Sequence, residues 1–398
     1  MKWASALSEG KSTPDVIAEL TNSIRAQMGD EPIDLAFLFV SPALLNETTP
    51  AAVMESIGCE SLVGCSGGGI IGGGREIERM PAASLIAARL PEVEITLFHR
   101  DSSDLPDLDA SPKRWQSCFQ VDPERKSQFV LFADPLTFDA EKGLMGLDFA
   151  YPRAVKVGGL VSGGSGPGEN ALFLNQKVHR SGMVGVALSG NIEIDTIVAQ
   201  GCRPIGTPLA ITKCDRNLLT ELDHKPPLKV LQELYEQLSE ADQRLMQHSL
   251  FLGLAMTPFK ETLTRGDFLI RNLIGMDSKT GSLAVGAFLR EGQLVQFHLR
   301  DAETSTEDLK WYLTEYQMEG KARSAKGALL FSCLGRGAHL YGKPNHDSEL
   351  FHNRVGPLPL GGFFCNGEIG AVGGTTFLHG YTSCFGIFKP SSPQPSNG

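Results

Sequence analysis

Three glycine-rich runs, each a few tens of residues after a short apolar stretch, constrain this chain more than any other feature. The first is Leu62-Val-Gly-Cys-Ser-Gly-Gly-Gly-Ile-Ile-Gly-Gly-Gly74. Downstream, Val157-Gly-Gly-Leu-Val-Ser-Gly-Gly164 aligns without a gap on Leu360-Gly-Gly-Phe-Phe-Cys-Asn-Gly367, which sets Ser162 opposite Cys365. The apolar stretches before them are residues 35–40, 129–133 and 328–332. Short apolar runs bounded by turn residues read as buried strands. Clustered glycines permit positive φ or let another group approach the backbone closely. A chain that repeats strand and glycine loop three times is expected to build one site from equivalent loops.

Composition narrows the function classes. Hydrophobic residues make up 41% of the 398 and charged residues 21%, which is globular and ample for a core. The net charge of −10 speaks against nucleic acid or an anionic membrane as partner, since both call for a positive surface. The absence of an 18-residue apolar run argues against a membrane span. The start, Met1-Lys-Trp-Ala-Ser-Ala-Leu, lacks a secretory apolar core, so a cytoplasmic protein is expected. Eight cysteines without a Cys-x-x-Cys suggest neither a disulfide scaffold nor a zinc ribbon, and no metal or cofactor is expected.

Local patterns fill in the elements. Thr13 and Pro14 open a helix whose Val16, Ile17, Leu20, Ile24 and Met28 share a face. Thr49-Pro50 opens a second helix that Gly58 ends. Strands are expected at 82–89, 93–99, 171–174, 183–188 and 192–199. The segment between Phe132 and Val157 carries few helix signals. Residues 206–227 read as a turn-rich linker, and Ser239 with Asp242 starts a capped helix after it. Four strands follow between 251 and 299. Ser305 or Thr306 then caps a helix with Leu309, Leu313 and Tyr316 on one face. The end, 391–398, is disordered by composition.

Motifs for chemistry are weighed against blander readings. Gly67-Gly-Gly69-Ile-Ile-Gly72 fits the dinucleotide pattern but lacks the helix that would hold a pyrophosphate. Gly64-Cys-Ser66-Gly-Gly68 fits the hydrolase elbow but again has no helix after the serine. His346-Asp-Ser-Glu-Leu-Phe-His352 matches no zinc spacing and reads as a polar loop. Arg336, between Gly335 and Gly337, is either poised to fork a planar anion or is a turn arginine. Cys333 and Cys365 are reactive only in an accessible, electropositive setting. Glu368, His379 and Tyr381 are polar groups in apolar strand sequence, the pattern of groups converging in a pocket.

These runs carry a resemblance to the FIST family, whose members have a FIST N and a FIST C region. Val63-Gly-Cys-Ser-Gly-Gly68 resembles the N-region glycine motif. Asp267-Phe-Leu-Ile-Arg-Asn-Leu-Ile-Gly275 resembles the stretch that opens the C region. Phe331-Ser-Cys-Leu-Gly-Arg-Gly337 and the run from Gly361 to Gly370 resemble its later motifs, with Gly370-Ala371 where Gly-Pro is commoner. The resemblance covers nearly the whole chain. It implies a sensory module for intracellular signal transduction that binds a small ligand, an amino acid or a derivative. The two regions would use up the length, leaving any signalling output to a separate protein partner.

The expected fold is α/β, with two pseudo-repeated halves and mixed sheets carrying helices on their outer faces. The N region spans 1–205, the linker 206–227 and the C region 228–390. The expected ligand contacts are Cys65, Ser66, Gly67 and Gly68 from the first run, and Ser162, Gly163 and Gly164 from the second. Cys333, Arg336, Cys365, Asn366, Glu368, His379 and Tyr381 complete them. A sensor that binds a small anionic ligand without catalysis stands first, an interaction scaffold second, and a hydrolase or thiol transferase using Ser66, Cys333 or Cys365 third.

Overall fold

The computed structural model describes residues 1–256, 263 and 266–391. The chain divides into two compact units, one of Met1–Val198 with Trp311–Gly398 and one of Ala199–Lys310. Residues 392–398, most of the expected tail, lie outside the described residues.

The first unit is one strand recipe used three times. The chain begins with β1 (Lys2–Glu9) and α1 (Thr13–Met28). The first copy is β2 (Ile33–Val40), α2 (Thr49–Ile57) and β3 (Cys59–Ser66), then the hairpin β4 (Ile70–Gly72) and β5 (Arg75–Ile77), then β6 (Ala82–Arg89) and β7 (Val93–Arg100). After α3 (Pro112–Phe119), the second copy is β8 (Gln128–Ala133), α4 (Ala140–Ala150) and β9 (Lys156–Leu160). Its hairpin is β10 (Leu172–Leu174) and β11 (Lys177–His179), followed by β12 (Met183–Gly190) and β13 (Glu193–Ala199).

The second unit is a closed barrel of β14 (Arg203–Asp215), β15 (Leu218–Leu222), β16 (Leu250–Ala255), β17 (Phe268–Asp277), β18 (Ser282–Val285) and β19 (Leu294–Leu299). Its core includes Ile211, Leu219, Leu252, Val285 and Phe297, with Leu231 and Leu234 of α5 (Pro227–Gln237) packed in. Residues 203–222 are therefore largely strand where the sequence suggests a linker. α6 (Glu240–Met246) starts at Ser239, whose hydroxyl accepts the Asp242 N–H as expected. α7 (Ala302–Met318) begins earlier than expected, with the Asp301 carboxylate accepting the Thr304 N–H.

The third copy is β20 (Gly327–Cys333), α8 (Ala338–Tyr341) with α9 (His346–Val355), and β21 (Leu360–Cys365). Its hairpin is β22 (Glu368–Val372) and β23 (Thr375–His379), and its return strand is β24 (Ser383–Lys389). In each copy the first two strands pair in parallel, and the return strand runs antiparallel beside the first. α9 replaces the polar loop expected around His346.

Register identifies the equivalent residues. Leu38 pairs with Gly64, Leu131 with Gly158, and Leu330 with Gly362. At each of these glycines a Cβ would sit 1.9 Å from the carbonyl oxygen of its leucine partner. Gly158 thus corresponds to Gly362, one residue on from the Gly361 that the ungapped sequence match gives it. The residue after each leucine is Phe39, Phe132 or Phe331, and these rings meet. Phe39 and Phe132 have centroids 5.5 Å apart, Phe132 and Phe331 6.0 Å, with Phe363 filling between them.

The copies are tied together by exchange. The hairpin of the first joins β21, that of the second joins β3, and that of the third joins β9. β7 extends the second copy's sheet and β13 the third's, and β1 holds the matching edge of the first. The result is the expected mixed α/β architecture, with the first half carrying the recipe twice and the second half once. α1 and α2 cover one sheet through Val16, Leu20, Ile24, Val53 and Ile57. α3 and α4 cover another through Trp115, Phe119, Leu144 and Leu147. Among the described residues no helix is long and apolar enough to cross a membrane.

Candidate functional site

In α/β sheets, ligands favour the carboxyl ends of parallel strands. Here those ends are the segments following β3, β9 and β21, which are the three glycine runs. They are joined by direct hydrogen bonds. The Ser162 hydroxyl accepts the Gly68 N–H (2.8 Å) and donates to the Phe364 carbonyl, so the second copy holds both the others. Asn366 donates its side-chain amide to the Val161 carbonyl (3.0 Å) and its backbone N–H to the Leu160 carbonyl (3.0 Å). By strand register Gly68, Ser162 and Asn366 hold one position in the three copies.

The rim of this junction is open to solvent. Gly163 and Asn366 are exposed, and Gly68, Gly164 and Cys333 are half-buried. Leu334, next to Cys333, is 43% exposed. A Cβ on Gly68 would lie 2.9 Å from its side chain, and its N–H bonds the Cys365 carbonyl (3.1 Å). Pro42 closes over Gly163, where a Cβ would come within 2.4 Å of the proline ring.

Beneath the rim the polar groups are engaged. The Ser66 hydroxyl is fully buried, donates to the Ser162 carbonyl (3.2 Å) and accepts the Ala171 N–H (3.1 Å). It therefore works as a strut. Gly164 gives its N–H to Asn170 (2.9 Å), whose amide in turn reaches Asp134 (2.8 Å). Asp134 is buried, and by register it occupies the position of Ser41, just past the first strand of its copy, and of Cys333, the last residue of β20. The signal for it was the Asp134-Pro135 stop, which parallels Ser41-Pro42.

Cys65 points into the core rather than the rim, and burial pushes its thiol well above the usual range. Cys365 is buried too. Its thiol is pushed up first by burial, then by Glu368, to which it donates at 3.3 Å. The other Glu368 oxygen accepts the Thr382 N–H (3.0 Å). His379 is buried opposite Glu368 across β22 and β23, with its Nε2 3.1 Å from the Gly370 carbonyl.

Arg336 corrects an expectation. Its guanidinium is fully buried and forks onto Asp347, with Nε to Oδ2 at 2.9 Å and Nη2 to Oδ1 at 3.1 Å. Nη1 reaches the carbonyl of Tyr381, a residue held at φ 64°. Asp347 also takes Ser332 Oγ (3.1 Å) and faces His346 Nδ1 (2.9 Å). Burial opposes both charges, but each offsets it for the other: the guanidinium pKa is raised and the carboxyl is held below its usual range. The planar fork is used inside the protein, not aimed at a cleft. Nothing in the sequence around His346 signals this, because the partner lies eleven residues away on another element.

FIST N matches residues 34–225, and FIST C matches residues 227–371. The chain belongs to the FIST family. FIST regions are sensory, small-ligand-binding signalling domains. An uncharacterised protein of Mycobacterium tuberculosis is 34% identical over 385 residues, covering 95% of this chain and 98% of its own length. An F-box/LRR-repeat protein of Arabidopsis thaliana is 31% identical over 125 residues, 28% of this chain and 24% of its own. Among solved structures, a cyanuric acid hydrolase from A. caulinodans aligns over 98% of this chain and 99% of its own, with 11% identity and a TM-score of 0.28.

Proposed function

We propose that this FIST protein is a cytoplasmic sensor that binds a small amino acid or derivative on the rim formed by the three glycine loops, and passes the signal to a separate protein without catalysis. One observation carries the reading: Ser162 bonds the first loop and the third at once, so the three loops respond as one surface. With Arg336 neutralised by Asp347, a ligand would be met by the exposed backbone of Gly163 and by the second hydrogen of the Asn366 amide, beyond the one given to Val161. Two cavities among the described residues away from the rim, 560 Å³ between α1 and α2 and 240 Å³ beside Tyr151, offer no such convergence of repeated loops.

The test is a thermal-shift screen of the full chain against amino acids, their derivatives and organic acids. A ligand of the folded state raises the melting temperature with its concentration. Gly68→Val, which would press on Leu334, should abolish the shift produced by the best compound. An undiminished shift in that variant moves the site elsewhere.

A further inference from the structure

Cys333 ends β20, Cys365 ends β21, and the two are direct partners across that parallel pair. Neighbouring strands lie ~4.8 Å apart. That is within the ~4.4–6.8 Å Cα separation that a disulfide spans. All eight cysteines are thiols.

The two thiols have complementary settings. Cys333 is half-buried at the rim beside the exposed Leu334. The Arg336 backbone N–H bonds the Cys333 carbonyl (2.8 Å), which fixes the turn that follows the strand. Cys365 is fully buried and already donates its S–H to Glu368 Oε1 (3.3 Å). Burial and Glu368 keep that thiol protonated in the reduced protein, so its proton leaves only as the sulfur attacks, and Glu368 is the carboxylate placed to take it.

We propose that Cys333 and Cys365 form a peroxide-responsive thiol pair, with Cys333 the sulfur that is oxidised, Cys365 the sulfur that resolves it, and Glu368 the proton acceptor for Cys365. In the first step the Cys333 sulfur attacks one oxygen of hydrogen peroxide. An S–O bond forms, the O–O bond breaks, and the departing hydroxide takes up the Cys333 proton as water. In the second step Cys365 passes its proton to Glu368 and attacks the Cys333 sulfenic acid. The S–S bond forms, the S–O bond breaks, and the hydroxide that leaves is protonated to a second water. Two thiols thus lose two electrons and two protons, and one peroxide becomes two waters. An external dithiol reverses the change. The disulfide ties the ends of β20 and β21 beside Gly68 and Asn366, which makes the rim sensitive to oxidation. This inference does not rest on the ligand reading, because its test uses no ligand.

The experiment treats the full chain with a small excess of hydrogen peroxide and maps peptides by mass spectrometry without reduction. The expected product is a Cys333–Cys365 linked peptide that dithiothreitol removes. In Cys365→Ser the link is lost and Cys333 is instead captured by dimedone as a sulfenic acid. Glu368→Gln slows linking in the otherwise unchanged protein. The proposal is overturned if wild-type Cys333 stays unmodified while the half-buried Cys118 and Cys214 are oxidised, or if Cys333 proceeds to the sulfinic acid with no linked peptide. An unchanged linking rate in Glu368→Gln overturns the proton's route.

Discussion

Glu76 sits buried on β5, and its two carboxyl oxygens fare differently. Oε1 accepts the Ser348 N–H (2.7 Å) and hydroxyl (2.9 Å) at the start of α9, whereas Oε2 has no hydrogen-bond partner among the described residues. Burial first, and the nearby Asp347 second, push its pKa up from 4.5 to about 8. The proton is therefore held more tightly folded than unfolded. The stability it contributes is complete below pH 4.5 and is lost as pH rises towards and through 8, with a slope of at most about 1.4 kcal/mol per pH unit. Asp347 acts in the opposite sense and at lower pH, since its depressed pKa gives stability that disappears only as acid protonates it. Denaturation midpoints of the wild type should fall between pH 5 and pH 8, and those of Glu76→Gln should fall much less. Parallel pH profiles of the two proteins would remove Glu76 as the source.

At the scale of elements, the parallel pairs depend on one glycine each. Gly64, Gly158 and Gly362 lie against the Leu38, Leu131 and Leu330 carbonyls, where a Cβ would sit at 1.9 Å. The obstacle is backbone, so it cannot rotate away. Alanine at any of the three should therefore destabilise by at least the ~1–3 kcal/mol typical of overpacking, read as a lowered denaturation midpoint. Gly373→Ala, where a Cβ meets nothing within 4 Å although φ is 60°, should cost less. A tolerated alanine at all three sites would contradict the equivalence. Strands such as β2, β6, β8 and β20 and the first two helices were legible in the sequence, because short apolar runs and Thr13-Pro14, Thr49-Pro50 and Gly58 are local signals, whereas β1 was not expected. α4 escaped notice because Gly143 and Gly146 weaken its propensity. Both are there to admit Phe138 and Trp115, whose rings would meet a Cβ at 2.9 and 2.1 Å. α9 looked like a loop because its polar residues are satisfied from outside the helix, by Glu76, far away in the chain, and by Arg336, in the turn after β20. β14 looked like a linker because Gly206 and Pro208 are turn residues, and they fall within its shift of register against β19, between Ile205 and Leu209.

In the unit that the repeats build, the organisation is cyclic. Each copy gives its hairpin to another's sheet, as when Gly72 of the first pairs with Gly361 of the third. That exchange brings together the ends of β3, β9 and β21 and makes a joint rim of loops far apart in sequence. The glycine runs and their order were legible; the exchange was not, because pairing between segments nearly three hundred residues apart leaves no local pattern. For the same reason Ser162 could be named from sequence, but not its role in holding Gly68 and Phe364 together. The account's central claim is that the three loops form one ligand-binding surface. Hydrogen–deuterium exchange on the full chain, with and without the compound that most raises its melting temperature, tests that claim most directly. The account predicts joint protection of peptides containing Gly67–Gly68, Ser162–Gly164 and Cys365–Gly367. Protection confined to one loop, or to the groove between α1 and α2 around Thr21, Arg25 and Thr49, would contradict it.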